Sequence, residues 1–185
     1  PVVRYSQTTP EEVARYDCPI IDNYGLLSSI YRYGSVAYVG GGFGVGIHNV
    51  PEAAVYGVPV IIGEAVPETK AVFQAKAQKM DTLIVFAEDI PAVCASHALP
   101  TGGIAYRTRF FGNITGELGG SYQEKNANTV LTAAMLLYNK GVIRNTDSIA
   151  RGFADVCEAT GLMGRWQKLQ DRPPVICDTG HNAGG

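Results

Sequence analysis

Two apolar runs constrain this chain more than anything else in it. VAYVGG at 36–41 and VPVII at 58–62 are apolar without alternation, the pattern of a strand covered on both faces. Between them VPEAAVYG at 50–57 reads as a short helix closed by Gly57. Strand, helix, strand in that order predicts a βαβ unit in a parallel sheet. The right-handed crossover rule then places 36–41 and 58–62 side by side. Ahead of them VVRYS at 2–6 is β-rich and CPIID at 18–22 is a short apolar run. YGLLSSIYRYG at 24–34 spaces Leu27, Ile30 and Tyr31 as a helix would.

After Glu64 the rhythm changes. PETKAVFQAKAQKM at 67–80 is expected to be an amphipathic helix with Val72, Ala75 and Met80 on its apolar side, and TLIVFAED at 82–89 a strand. Residues 90–120 mix turn residues with short β-like runs, AYRTRFF and NITGELGG. SYQEKNANTVLTAAMLLYNKG at 121–141 predicts a long helix, with Ser121 as N-cap, Glu124 completing a capping box and Gly141 just past the end. TDSIARGFADVCEATG at 146–161 predicts another, capped by Thr146 or Asp147. PPVICDTGHN at 173–182 reads as a buried strand running into a polar turn.

Composition narrows the function classes. A hydrophobic content of 46% supports a packed core. The net charge is −2 and no basic run exceeds a pair, so there is no electrostatic footprint for nucleic acid. No apolar stretch approaches the roughly 18 residues of a membrane span. The four cysteines, Cys18, Cys94, Cys157 and Cys177, form no CxxC pair and lie near no histidine at zinc spacing. They are expected to be buried free thiols of a reducing, cytoplasmic compartment. The first residue is Pro1 and the last five are HNAGG, so the start is expected to be a cut and the end to fall inside a glycine loop.

The run VGGGFGVGIHNVPEAA follows one strand and precedes a helix. Glycines let backbone approach a ligand closely, and free N–H groups at a helix start suit phosphate oxygens. A tight turn without a ligand has the same look. His48, Asn49 and Glu52 add polar groups, with His48 open to a capping or core role. GGGFGVGIHNVPEAAVYGVPV and the preceding LLSSIYRYGSVAYVGG resemble the C-terminal lobe of the 3-deoxy-D-manno-octulosonic acid (Kdo) transferases over about residues 1–62. The resemblance implies a Rossmann-like half of a GT-B glycosyltransferase fold. It implies Gly40, Gly41, Gly42 and Gly44 along the phosphate of CMP-Kdo, with His48 and Asn49 beside them and Glu52 on the ribose. The acceptor would be a lipid A precursor, and the site of action the inner face of the cytoplasmic membrane.

Three polar clusters mark the second part. In YQEKNA, Gln123 and Asn126 sit three apart on one helix face, which suits a planar base but also ordinary helix-start polarity. Arg165 in GRW can pair with phosphate or stack on Trp166. Asp178 and His181 in DTGHN follow a strand, where α/β sheets place ligand groups and where a plain polar turn is equally natural. Together with GEAVPETKAVFQAKAQKMDTLIVFAED, these resemble the folylpolyglutamate synthase/dihydrofolate synthase branch of the Mur-ligase superfamily over about residues 58–185. That resemblance implies ATP-dependent formation of an acyl phosphate from folate or dihydropteroate, attack by the glutamate amine, and Mg²⁺ as the metal. Asn126 and Gln123 would meet adenine, Arg165 the phosphates, and Asp178 and His181 the ribose-phosphate side.

This chain departs from that family's pattern. Val55 stands where a metal-site lysine is expected, and no G-x-x-x-x-G-K-[ST] occurs anywhere. The expectation is therefore a chimera. A transferase-like lobe over 1–62 passes, within the shared strand YGVPVIIGE, into a fragment of a ligase central domain over 63–170 and the start of its C-terminal domain over 171–185. No catalytic residue is expected, and a non-catalytic nucleotide-binding α/β fragment is the remaining alternative.

Overall fold

The computed structural model describes residues 1–39, 55–165 and 167–179. The expected helix over 50–57 lies outside these except for Val55–Gly57, which form a turn that ends with Gly57 at φ +66°.

The apolar runs form the expected sheet. β1 (Val2–Arg4) and β2 (Cys18–Ile20) make a two-stranded parallel pair of their own. β3 (Ala37–Val39), β4 (Val60–Ile62) and β5 (Ile84–Phe86) form one parallel sheet in that order. Ala37 is in register with Val60 and Val60 with Ile84. The sheet therefore runs without interruption past Gly57–Glu64. Val60, Ile61 and Ile62 are all buried, as a strand covered on both faces must be. Between β1 and β3 lie two short helices, α1 (Pro10–Val13) and α2 (Leu27–Ile30), the second continued by a 3₁₀ turn at Tyr31–Tyr33.

α3 (Pro67–Lys79) connects β4 to β5 and starts with proline in its first turn, where the missing N–H costs nothing. The face expected to be apolar is the wrong one: Val72 is 64% exposed, while Phe73 and Ala77 are buried against Val60, Ile62 and Phe86. Lys70 reinforces this docking. Its ammonium lies 4.9 Å over the Phe86 ring and bonds Asp89 at 2.5 Å and Glu88 at 3.2 Å.

Residues 90–120 are more regular than their composition suggests. β6 (Val93–Ala98), β7 (Ile104–Thr108) and β8 (Asn113–Gly116) form an antiparallel meander. Its inner face carries Ile104, Tyr106 and Ile114. α4 (Gln123–Asn139) packs on that face through Ala127, Leu131 and Ala134. α5 (Asp147–Ala154) adds Ile149, and α6 (Val156–Thr160) follows after a break at Asp155, where φ is −121°. The helix expected over 146–161 is thus two helices.

The expected caps are replaced by other groups. No side chain caps α4; Gln123 donates its N–H to the Gly120 carbonyl, and Glu124 accepts from the Ser96 hydroxyl. α5 is capped not by Thr146 or Asp147 but by Asn145, whose Oδ1 accepts the Asp147 N–H at 2.8 Å. Gly141 does end α4, at φ +72° with its N–H on the Tyr138 carbonyl. At the other contact of α4, with the end of β4, a Cβ on Gly63 would meet Thr129 Oγ1 at 3.3 Å.

The last described elements form a hairpin, β9 (Gln167–Asp171) against β10 (Pro174–Cys177). Of the strand expected to be buried over 173–182, the part observed, Pro174–Cys177, is instead largely exposed, and its partner strand was not anticipated. The cysteines are free, but Cys18 and Cys94 are exposed and Cys157 and Cys177 only half-buried, which corrects the expectation of buried thiols. Among the described residues no helix is long and apolar enough to cross a membrane.

Candidate functional site

The N-terminal end of α4 gathers the polar groups that the sequence scatters over 56 positions. Tyr122, the residue before the helix, donates its hydroxyl to Asp178 Oδ2 at 2.8 Å. Burial first, then the Asp178 bond and charge, push the Tyr122 hydroxyl pKa up; the nearby Arg165 guanidinium pulls the other way. One turn into the helix, the Asn126 side-chain amide donates to Gln123 Oε1 at 3.2 Å. Gln123 is buried and Asn126 is exposed.

These groups, Asp178 apart, line the mouth of a cleft of about 1160 Å³. Its polar end is lined by Ser121, Tyr122, Gln123, Asn126 and Arg165. Its inner limb runs between α4 and α5 over Ala133, Leu137, Ile143 and Phe153. Tyr106 lies in the wall, edge-on to Phe153 with ring centroids 6.0 Å apart. Burial, with Glu124 contributing, pushes the Tyr106 hydroxyl up to about 12. Lys125 reaches back to Glu64 at 2.9 Å, tying the helix start to the carboxyl end of β4. That edge of a parallel sheet is where ligands of open α/β folds sit.

Of the residues singled out in the sequence, Gln123, Asn126, Arg165 and Asp178 come together here. Gly40, Gly41, Gly42, Gly44, His48, Asn49, Glu52 and His181 lie outside the described residues. Two residues were not singled out. Tyr122 sits inside the YQEKNA cluster, and its role appears only once Asp178 is opposite it. Asn128 was masked by its neighbours in the same helix start. Its Oδ1 accepts from Ala92 N–H at 2.6 Å and Val93 N–H at 3.2 Å, and its Nδ2 donates to the Ala87 carbonyl at 2.7 Å. One amide thereby fixes α4 to the segment that links the two sheets.

Folylpolyglutamate synthetase from Lactobacillus casei superposes over 91% of this chain and 44% of its own, with a TM-score of 0.63 and 22% identity. The fold is similar to that of folylpolyglutamate synthase. A Mycobacterium tuberculosis folylpolyglutamate synthase complexed with ADP gives 92% of this chain, 42% of its own, a TM-score of 0.63 and 22% identity. A folylpolyglutamate synthase–AMPPCP–folate complex covers 78% of this chain with a TM-score of 0.55 and 23% identity.

No family model matches the chain. Among curated proteins, the dihydrofolate synthase/folylpolyglutamate synthase of Bacillus subtilis (strain 168) is 26% identical over 137 residues, 70% of this chain and 30% of its own. The 3-deoxy-D-manno-octulosonic acid transferase of Aquifex aeolicus (strain VF5) is 42% identical over 48 residues, 25% of this chain and 14% of its own. The chain therefore spans less than a third of either curated relative. The structural likeness, at 91% of the chain, reaches further than the 70% matched in sequence.

Proposed function

We propose that the mouth at the start of α4 binds an ATP-type nucleotide, and that this chain is the nucleotide-holding part of a ligase that joins glutamate to folate or dihydropteroate. One observation carries the reading: an amide pair and a guanidinium from two separate segments line one cleft, and a carboxylate from a third segment accepts the hydroxyl of Tyr122 in its wall. Gln123 and Asn126 carry amide donors and acceptors of the kind that pair with an adenine edge. Arg165 offers a fork of donors to phosphate oxygens. Asp178, with His181 three residues on, serves the ribose-phosphate side. The fold likeness and the sequence similarity to the Bacillus subtilis protein support the class of reaction.

In such a ligase a carboxylate is activated by phosphoryl transfer and then attacked by an amine. Positioning and charge neutralisation supply most of the catalysis. The residues here bind and orient. Among the described residues no three His, Cys, Asp or Glu side chains converge as a metal site. With Val55 at the lysine position and no phosphate-binding G-x-x-x-x-G-K-[ST] loop in its 185 residues, the chain alone binds nucleotide without turnover.

The test is a titration of ATP followed by fluorescence of the single tryptophan, Trp166, next to Arg165. R165A is expected to weaken binding roughly 10- to 100-fold, the worth of a charge-assisted hydrogen bond. Equal affinity in R165A and the unaltered protein would remove the assignment.

A second reading is favoured by the 42% identity over 48 residues to the Aquifex aeolicus transferase. In it, residues about 1–62 descend from a Kdo transferase lobe and the join lies in Tyr56–Glu64. The glycine run and Glu52 then bind CMP-Kdo. Binding of CMP-Kdo that is lost in E52Q supports this origin; absence of CMP-Kdo binding at millimolar concentration argues against it.

A further inference from the structure

The C-terminal hairpin is closed on itself. Thr179 donates its N–H at 2.8 Å and its hydroxyl at 3.0 Å to the Gly164 carbonyl, and the Gly164 N–H is held by Gln167 Oε1 at 2.9 Å. These bonds join the two ends of the hairpin to each other and reach no helix. Across β9 and β10 only Gln167 and Cys177 are even half-buried, so little apolar burial seats the hairpin on the body. A two-stranded ribbon is marginal by itself in water. Asp178 reaches from its end to the start of α4, through the Tyr122 hydroxyl. On the far side of that bond stand Gln123 and Asn126; on the near side stands Arg165.

We propose that Tyr122 is a positioning residue: its hydroxyl latches the hairpin to the start of α4, and so sets Arg165 and Asp178 against Gln123 and Asn126 as one binding edge. The identity of the ligand rests on the nucleotide reading above; the latch concerns only the chain's own residues. A ligand that spans the mouth needs both sides in place. It therefore binds the latched form, and occupancy and hairpin docking are linked. Loss of the latch lowers the competent population, and apparent affinity falls by the same factor.

The experiment measures backbone hydrogen exchange over 167–177 in the full chain, for the unaltered protein, Y122F and D178N. Y122F keeps the ring and removes only the donor. D178N keeps an acceptor for the tyrosine hydroxyl. Exchange over 167–177 is expected to rise about tenfold in Y122F and to stay within about twofold in D178N, with 67–79 unchanged throughout. ATP titrated into the same proteins is expected to show its Kd raised in Y122F by the factor seen in exchange. Unchanged hairpin exchange in Y122F overturns the latch, whatever ATP does. A rise in D178N equal to that in Y122F overturns the hydrogen-bond account. An unaltered ATP Kd in a loosened Y122F overturns the coupling. A loosened hairpin in Y122F, with no ATP binding to the unaltered protein at millimolar concentration, supports the latch and removes the nucleotide reading instead. If Y122F also loosens 67–79, D178A replaces it: faster exchange confined to 167–177 supports the latch, and none overturns it.

Discussion

Replacing Asn128 with alanine removes three hydrogen bonds at one stroke. Two backbone donors, the Ala92 and Val93 N–H groups, and one acceptor, the Ala87 carbonyl, lose their partner. Ala87 is 1% exposed and Ala92 0%, so water does not take the place of the amide without opening the structure. An unsatisfied buried polar group costs about 1–3 kcal/mol. The Val93 bond, at 3.2 Å, is the weakest of the three. The expected loss is about 4 kcal/mol, or roughly 10 °C in Tm for a chain of this size. Urea unfolding followed by far-UV circular dichroism measures it. N128D keeps the acceptor for both N–H groups but sets a carboxylate against the Ala87 carbonyl, so it is expected to recover only part of the loss. A loss below about 1 kcal/mol in N128A would show that α4 is held to the two sheets by packing alone, and that the amide is incidental.

Three further outcomes are expected. L131A empties a fully buried position between α4 and the meander and is expected to cost about 2–5 kcal/mol in the same melts; a cost under 1 kcal/mol would mean that the helix does not seal that face. Tyr106 has its folded pKa raised from 10.0 to about 12, so the folded state keeps its proton where the unfolded chain has lost it. Its contribution is whole below pH 10 and is lost as pH rises towards 12; Y106F is expected to flatten stability across that window, and an unchanged slope would refute the assignment. Purified chain incubated with ATP, Mg²⁺, glutamate and a folate acceptor is expected to release no ADP above a protein-free control, and release that R165A abolishes would show that the chain turns over unaided.

The sequence was most legible where one physical signal had no rival. Unbroken apolar runs separated by a helix admit little besides adjacent parallel strands, and β3 and β4 pair as expected. Gly141 ended a helix because only a left-handed residue fits there. Reading failed where two signals competed. α3 carries two apolar stripes, and only the sheet beneath it selects Phe73 and Ala77 over Val72. The capping box at Ser121 and Glu124 lost to a longer-range partner, Ser96, that sequence spacing does not show. PVIC looked buried by composition, yet it pairs with a polar strand in an exposed hairpin. At the site, Gln123, Asn126, Arg165 and Asp178 were visible as polar clusters, but the groups that join them were not. Tyr122 and Asn128 act across 56 and 36 positions, and such distances are set by topology rather than by local pattern.

The contact between Gly63 and Thr129 has a consequence for how this chain can vary. With Thr129 Oγ1 at 3.3 Å from where a Cβ on Gly63 would lie and its methyl at 4.0 Å, a side chain at 63 fits only if the Thr129 hydroxyl gives way by a few tenths of an ångström. Volume at the two positions must be traded, not added. Among descendants of this sequence, alanine or serine at 63 should therefore travel with alanine or glycine at 129, which lack the hydroxyl. A lineage that enlarges 63 alone would have to shift the Thr129 hydroxyl, which donates to the Lys125 carbonyl at 3.1 Å near the start of α4. Positions 63 and 129, neither of them in the mouth of the cleft, are then a correlated pair whose drift reports on the seating of α4.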